Sequence, residues 1–125
     1  MLVLLFIFLG DDTKQNKKKI LKKEITNKKF LFKVKVWLYP GDNASWHFVT
    51  VPKKESGIIK ESFKEFTRGW GSLPVKVKIG KTIWKTSIFP DRKSGTYLLP
   101  LKKEIRRKEG LEINDSVSVV ITVLP

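Results

Sequence analysis

From residue 30 the chain alternates. Phe30, Phe32, Val34, Val36 and Leu38 fall on one side of an extended run, with Lys33 and Lys35 on the other. That period of two marks a half-buried strand. Tyr39-Pro40-Gly41-Asp42-Asn43 follows as a turn, because proline presets φ and the next three residues tolerate unusual φ. WHFVTV, Trp46 to Val51, predicts the returning strand. Pro52 ends it, since proline cannot continue a central ladder. In KKESGIIKESFKEF the spacing lengthens. Ile59, Phe63 and Phe66 recur at i, i+4 and i+7 among Lys and Glu, which predicts an amphipathic helix, closed by Thr67 to Gly71. PVKVKIG alternates again, with Val75, Val77 and Ile79 inward and Gly80-Lys81 as a two-residue hairpin turn. TIWKTSIF predicts another strand, stopped by Pro90-Asp91 and a turn through Gly95.

TYLLPLKKEIRRKEG repeats this grammar: a short strand, a proline, a short helix and a glycine stop at Gly110. LEINDSVSVVITVL then turns at Asn114-Asp115 and becomes the last strand, with Val117, Val119, Ile121 and Val123 on one face. The two halves share one order of elements. Pro40 answers Pro90, Pro52 answers Pro100, and Trp37 and Trp84 sit in the corresponding outer strands. Neither half is large enough to bury its own sheet face. The predicted fold is therefore mainly β: a small closed double-split β barrel of two pseudo-twofold-related halves, with two short α-helices. Closure also removes exposed edges. The stretch Arg68 to Gly95 would cross between the halves.

Residues 1–29 read differently. MLVLLFIFLG is shorter than the roughly 20 residues a spanning helix needs, and nothing basic precedes it as in a signal peptide. Residues 11–29 carry eight lysines against three acids, too polar to bury a core. A disordered extension, or a translation start placed too early, is the first expectation. Contact with an anionic membrane is the second. Residues 30–125 are expected to form one β-barrel domain. No transmembrane segment is expected, and the expected location is the cytoplasm.

The formal net charge is +14, from 26 basic and 12 acidic residues. Such a field attracts polyanions. Only Arg68, Arg92, Arg106 and Arg107 are arginine, and base edges are read mainly by Arg, so lysine-dominated charge points to contact with phosphate backbones. Cysteine is absent, which excludes disulfides, thiolate zinc sites and a cysteine nucleophile. His47 is the single histidine, so a multi-histidine metal site is excluded. No metal, no cofactor and no catalytic residue is expected.

Two candidate sites remain, each with a structural alternative. KKEIRRK places Lys102 with Arg106 and Lys103 with Arg107 at i, i+4, a basic helix face suited to nucleic acid. The first helix carries Glu55, Glu61 and Glu65, so the two helices differ, and a solvated face is the alternative. For a small ligand the candidates are His47, Arg68, Trp70 and Trp84, with Trp46 beside His47. Arg68 offers a fork of donors, Gly69 and Gly71 allow close approach, and Trp70 offers a stacking face. The alternatives are a hydrogen-bonding structural histidine and a turn whose Trp70 plugs the barrel end. Ser87 lacks a glycine elbow and reads as a strand serine.

GTYLLPLKKEIRRKEGLEINDSVSV resembles the swapped-hairpin domains of AbrB and MazE type. LYPGDNASWHFVTVPKK, RGWGSLPVKVKIGKTIWKTSIFPDRKSGTYLLPLKK and EGLEINDSVSVVI together look like the bacterial and archaeal family called domain of unknown function 1905, from about Phe30 to Val123. The resemblance implies a double-split β barrel and names no activity. The AbrB likeness implies that positive charge serves DNA. The N-terminal extension departs from the family, as does Asn114-Asp115 where Gly-Asp is common, a change that asparagine's tolerance of left-handed φ permits. The expected function is a small binding module without evident catalysis. The alternatives are nucleic-acid binding through the basic helix face and a small-ligand barrel. A monomer is expected, because the two halves are fused.

Overall fold

In the computed structural model, which describes residues 28–41 and 46–125, the alternation from Phe30 becomes two nearly continuous strands. These are β1, Lys29–Lys35, and β2, Trp37–Leu38. Phe30 and Val36 are buried, while Leu31, Lys33 and Lys35 are exposed. The expectations for residues 1–27 and for the tip of the turn at 42–45 lie outside the described residues.

β3, His47–Val51, returns along β2. Pro52 then stands at the N-cap of α1, Lys53–Phe63, where a missing N–H costs nothing. Ile59 and Phe63 are fully buried, as the helical spacing predicts. Two single helical turns, Lys64–Phe66 and Gly69–Gly71, lead into β4, Leu73–Ile79. Gly80, at φ 57°, turns the chain into β5, Thr82–Asp91, with Ile79 paired to Thr82 across the turn. β6, Thr96–Pro100, precedes α2, Lys103–Glu109. Gly110 stops α2 at φ 62°, and Leu111 N–H bonds Arg106 O at 2.8 Å, a left-handed cap. Asn114 takes φ 73° before β7, Ser116–Val123.

The seven strands form one antiparallel sheet in the order β1-β7-β4-β5-β6-β3-β2. Its two ends, β1 and β2, are one run of chain interrupted only at Val36, so the sheet curls into a nearly closed barrel. Val49, Val77, Ile88, Leu99 and Ile121 fill the interior with no exposed surface. Burying such side chains contributes about 1.5–3 kcal/mol each.

β5 does in one stretch what β1 and β2 do together. Its first part pairs with β4 and its end pairs with β6, as β1 pairs with β7 and β2 with β3. Exchanging the halves carries the pair Phe32–Val119 onto Trp84–Val77, and Trp37–Phe48 onto Phe89–Leu98. The repeat therefore holds in the ladders, while the correspondences inferred from punctuation are shifted. Trp37 answers Phe89 rather than Trp84, and the helix-capping Pro52 answers Lys102 rather than Pro100. Pro52 caps a helix whereas Pro100 lies within β6, so like punctuation need not occupy like positions while the pairing register is conserved.

Nor does Pro90 stop its strand. It lies within β5, opposite Tyr97. The β4 ladder has ended at Ile88, so a residue without an N–H there has only one neighbouring strand to serve.

Candidate functional site

Where β5 leaves β4 for β6, the outer strand edge is uncovered, and α2 crosses close by. A cavity of about 570 Å³ opens at this junction. Lys85, Lys102, Lys103 and Arg106 give it four cationic side chains, and no carboxylate is among the described residues that line it. Trp46, Phe89, Pro100 and Leu101 supply an apolar wall, with Thr86 and Ser87 between. Lys85, Ser87 and Phe89 alternate along β5 and so share its outer face.

Arg106 is held from two sides. Its Nε donates to Leu101 O at 3.1 Å, and Nη1 lies 3.3 Å from His47 Nε2. A guanidinium has only donors, so in this contact His47 accepts with Nε2 and carries its proton on Nδ1. Leu101 N–H in turn donates to His47 O at 2.8 Å. The fork of Arg106 is thereby oriented before any ligand arrives.

The opposite half solves the same position differently. Helix α1 places Ser56 where α2 places Arg106, Val51 answers Leu101, and Tyr97 answers His47. Ser56 Oγ donates to Val51 O at 2.8 Å and accepts from Tyr97 N–H at 3.0 Å. Both arrangements tie a helix side chain to the carbonyl that ends a strand. Ser56 and Val51 are fully buried, so this position is closed, and the cavity of about 370 Å³ beside Tyr97 is lined instead by Lys60, Lys64, Asp91 and Arg92. Burial also raises the Tyr97 phenol above its ordinary range, keeping it neutral. In the second half a long charged side chain replaces the hydroxyl, and the junction stays open and positive.

The cavity unites residues from two separate sequence readings: His47 from the ligand set, and Lys102, Lys103 and Arg106 from the basic helix face. Arg107 does not line it; it borders an adjoining, shallower groove of about 300 Å³ with Gly110 and Glu112, which Lys103 and Arg106 also line. Arg68, Trp70 and Trp84 do not line the cavity. Trp84 points inward from β5, half-buried against the core, and its Nε1 finds no acceptor among the described residues.

Trp70 plugs nothing: it is 93% exposed. The turn is closed by Gly71 N–H to Arg68 O at 2.9 Å and Arg68 N–H to Ser72 O at 2.8 Å. Trp70 takes φ 63° within it, which swings the ring outward. Left-handed backbone costs an L-residue about 1–2 kcal/mol. Trp70→Gly should therefore raise stability by about 0.5–1 kcal/mol after glycine's own entropy loss. A urea midpoint that fell would contradict this.

Sequence reasoning missed Lys85 and Phe89, although their spacing with Ser87 already put them on one face. It also missed the pairing of Tyr39 and Trp37 with Trp46 and Phe48. Among the described residues, no cluster of histidines and carboxylates is placed to hold a metal. No helix among them is long and apolar enough to cross a membrane.

No curated protein matches the chain. A family model does match, over residues 32–121, from β1 to within β7. The chain thus belongs to the family described as a domain of unknown function, DUF1905.

Proposed function

We propose that the barrel is a binding module whose second-half cavity holds a phosphate-bearing ligand. The observation that carries this is the Arg106 fork, oriented by Leu101 O and His47, among three lysines with no carboxylate among the described lining residues. Charge-assisted bonds from Arg to phosphate are short and strong, and a fork set in advance loses less freedom on binding. The apolar wall with Trp46 and Phe89 suits a ligand that also carries a flat ring. On this reading residues 30–125 act as one unit, monomeric because both halves lie in one chain.

The matched ladders of the two halves support placing the fold among the double-split barrels of AbrB and MazE type. Duplex DNA along the whole basic face of α2 is less well supported, because Arg106 turns into the cavity and Arg107 stands apart from it.

Titrating isotope-labelled protein with pyrophosphate and with adenosine monophosphate tests the reading. Saturable NMR shifts should appear at Lys85, Ser87, Lys102 and the Arg106 Nε–H, with Arg68 and Trp70 unmoved. Shifts that never saturate, or that spread evenly over the surface lysines, would reject the cavity as a site.

A further inference from the structure

Beside the cavity lies a second feature that anion binding alone does not use. On the outer face of the β2–β3 hairpin, three aromatic rings cluster around Phe48. Trp37 is paired with Phe48, and Tyr39 lies opposite Trp46 through its N–H to Trp46 O at 2.8 Å. Trp37 and Phe48 have centroids 5.3 Å apart, and Trp37 and Tyr39 6.2 Å. Trp46 and Phe48 lie within 12° of parallel. Trp37 Nε1 donates to Thr50 Oγ1 at 2.9 Å, which fixes that ring and satisfies its polar edge inside the protein. Trp46 is 61% exposed and Tyr39 49%. Burial would stabilise these rings, yet two of the four face water.

Two connections give this surface a direction. Trp46 belongs both to this cluster and to the cavity wall. On the other side, Lys33 and Lys35 continue the outer column of Trp37 and Tyr39 and are exposed. Aromatic faces thus lie between two positive regions.

Resting on the phosphate reading above, we propose that the ligand is single-stranded nucleic acid, with a phosphate in the Arg106 cavity and unpaired bases stacked on Trp46 and Tyr39. The alternation of flat faces and cations matches a strand's alternation of bases and phosphates. A duplex keeps its bases stacked on one another and presents mainly phosphates and groove edges, so it cannot use these rings. Lysine-dominated charge adds backbone attraction without base-edge reading, so binding should tolerate different sequences.

The test compares a short oligothymidylate, a duplex of the same length and inorganic polyphosphate, which has the charge without bases. Oligothymidylate should quench tryptophan fluorescence and bind more tightly than either of the others at equal salt. Tyr39→Ala should weaken oligothymidylate about tenfold and leave polyphosphate and pyrophosphate affinities unchanged. Tyr39→Leu, which keeps the bulk and loses the ring, should show the same loss if the ring is what matters. Equal affinity for oligothymidylate and polyphosphate, or indifference to both Tyr39 variants, would overturn the stacking proposal while leaving pyrophosphate binding in the cavity intact. Pyrophosphate failing to bind, with oligothymidylate still sensitive to Tyr39, would remove the cavity reading and keep the stacking surface. A sedimentation mass that doubles in wild type and reverts in Tyr39→Ala would assign the aromatic cluster to a second copy of the chain, and overturn the proposal.

Discussion

Ser56→Ala should destabilise the barrel by about 2–4 kcal/mol, although it removes a single oxygen. That oxygen is fully buried. It donates to Val51 O and accepts from Tyr97 N–H, so one hydroxyl joins α1, β3 and β6. Alanine leaves a buried carbonyl and a buried N–H without this partner, each at about 1–3 kcal/mol. The volume change is small, so the cavity contribution is minor. Against a typical total of about 5–15 kcal/mol, the urea midpoint should fall clearly with little change in slope. A loss below about 1 kcal/mol would mean that the two backbone groups find other partners or water, and that the Ser56 position is less tightly closed than its burial indicates.

Arg106→Gln should lower pyrophosphate affinity by about 10- to 100-fold, the cost of losing charge-assisted bonds of about 1.5–3 kcal/mol. Arg107→Gln should change it by no more than about threefold, because an exposed charge outside the site acts only through a screened field. Both residues sit on α2, one position apart, with the same charge. Their difference is reach: Arg106, bonded to Leu101 O and His47, lines the cavity as well as the neighbouring groove, while Arg107 borders only the groove. Arg106→Lys should recover part of the loss, since lysine restores charge but not the planar fork. Isothermal titration at a fixed salt concentration measures all three. Equal losses at positions 106 and 107 would favour a diffuse helix face over the cavity.

Much of the architecture could be read from residue order, because local spacing carries it. Phe30, Phe32, Val34 and Val36 alternate, and a strand with one wet face can bury that set in only one way. Ile59 and Phe63 are spaced for a helix and are its buried residues. Gly80, Gly110 and Asn114 stand where positive φ is needed. Two half-sized sheets that cannot each be covered alone imply that they cover one another. Trp70 was misjudged because a large aromatic ring suggests a plug, whereas the backbone angle at that turn sends it into solvent.

The candidate site was legible only in fragments. Residue order alone determined that this chain makes strands, two helices, matching halves and a strongly positive surface with no thiol and one imidazole. Tertiary structure alone decided that His47 meets Arg106, fifty-nine positions along the chain, and that Lys85 and Phe89 face the same opening. It also decided that Ser56 closes its position in one half while Arg106 borders an open cavity in the other. Periodicity reports which face of an element a side chain occupies. What stands across from that face depends on how distant elements pack, and no local pattern encodes it.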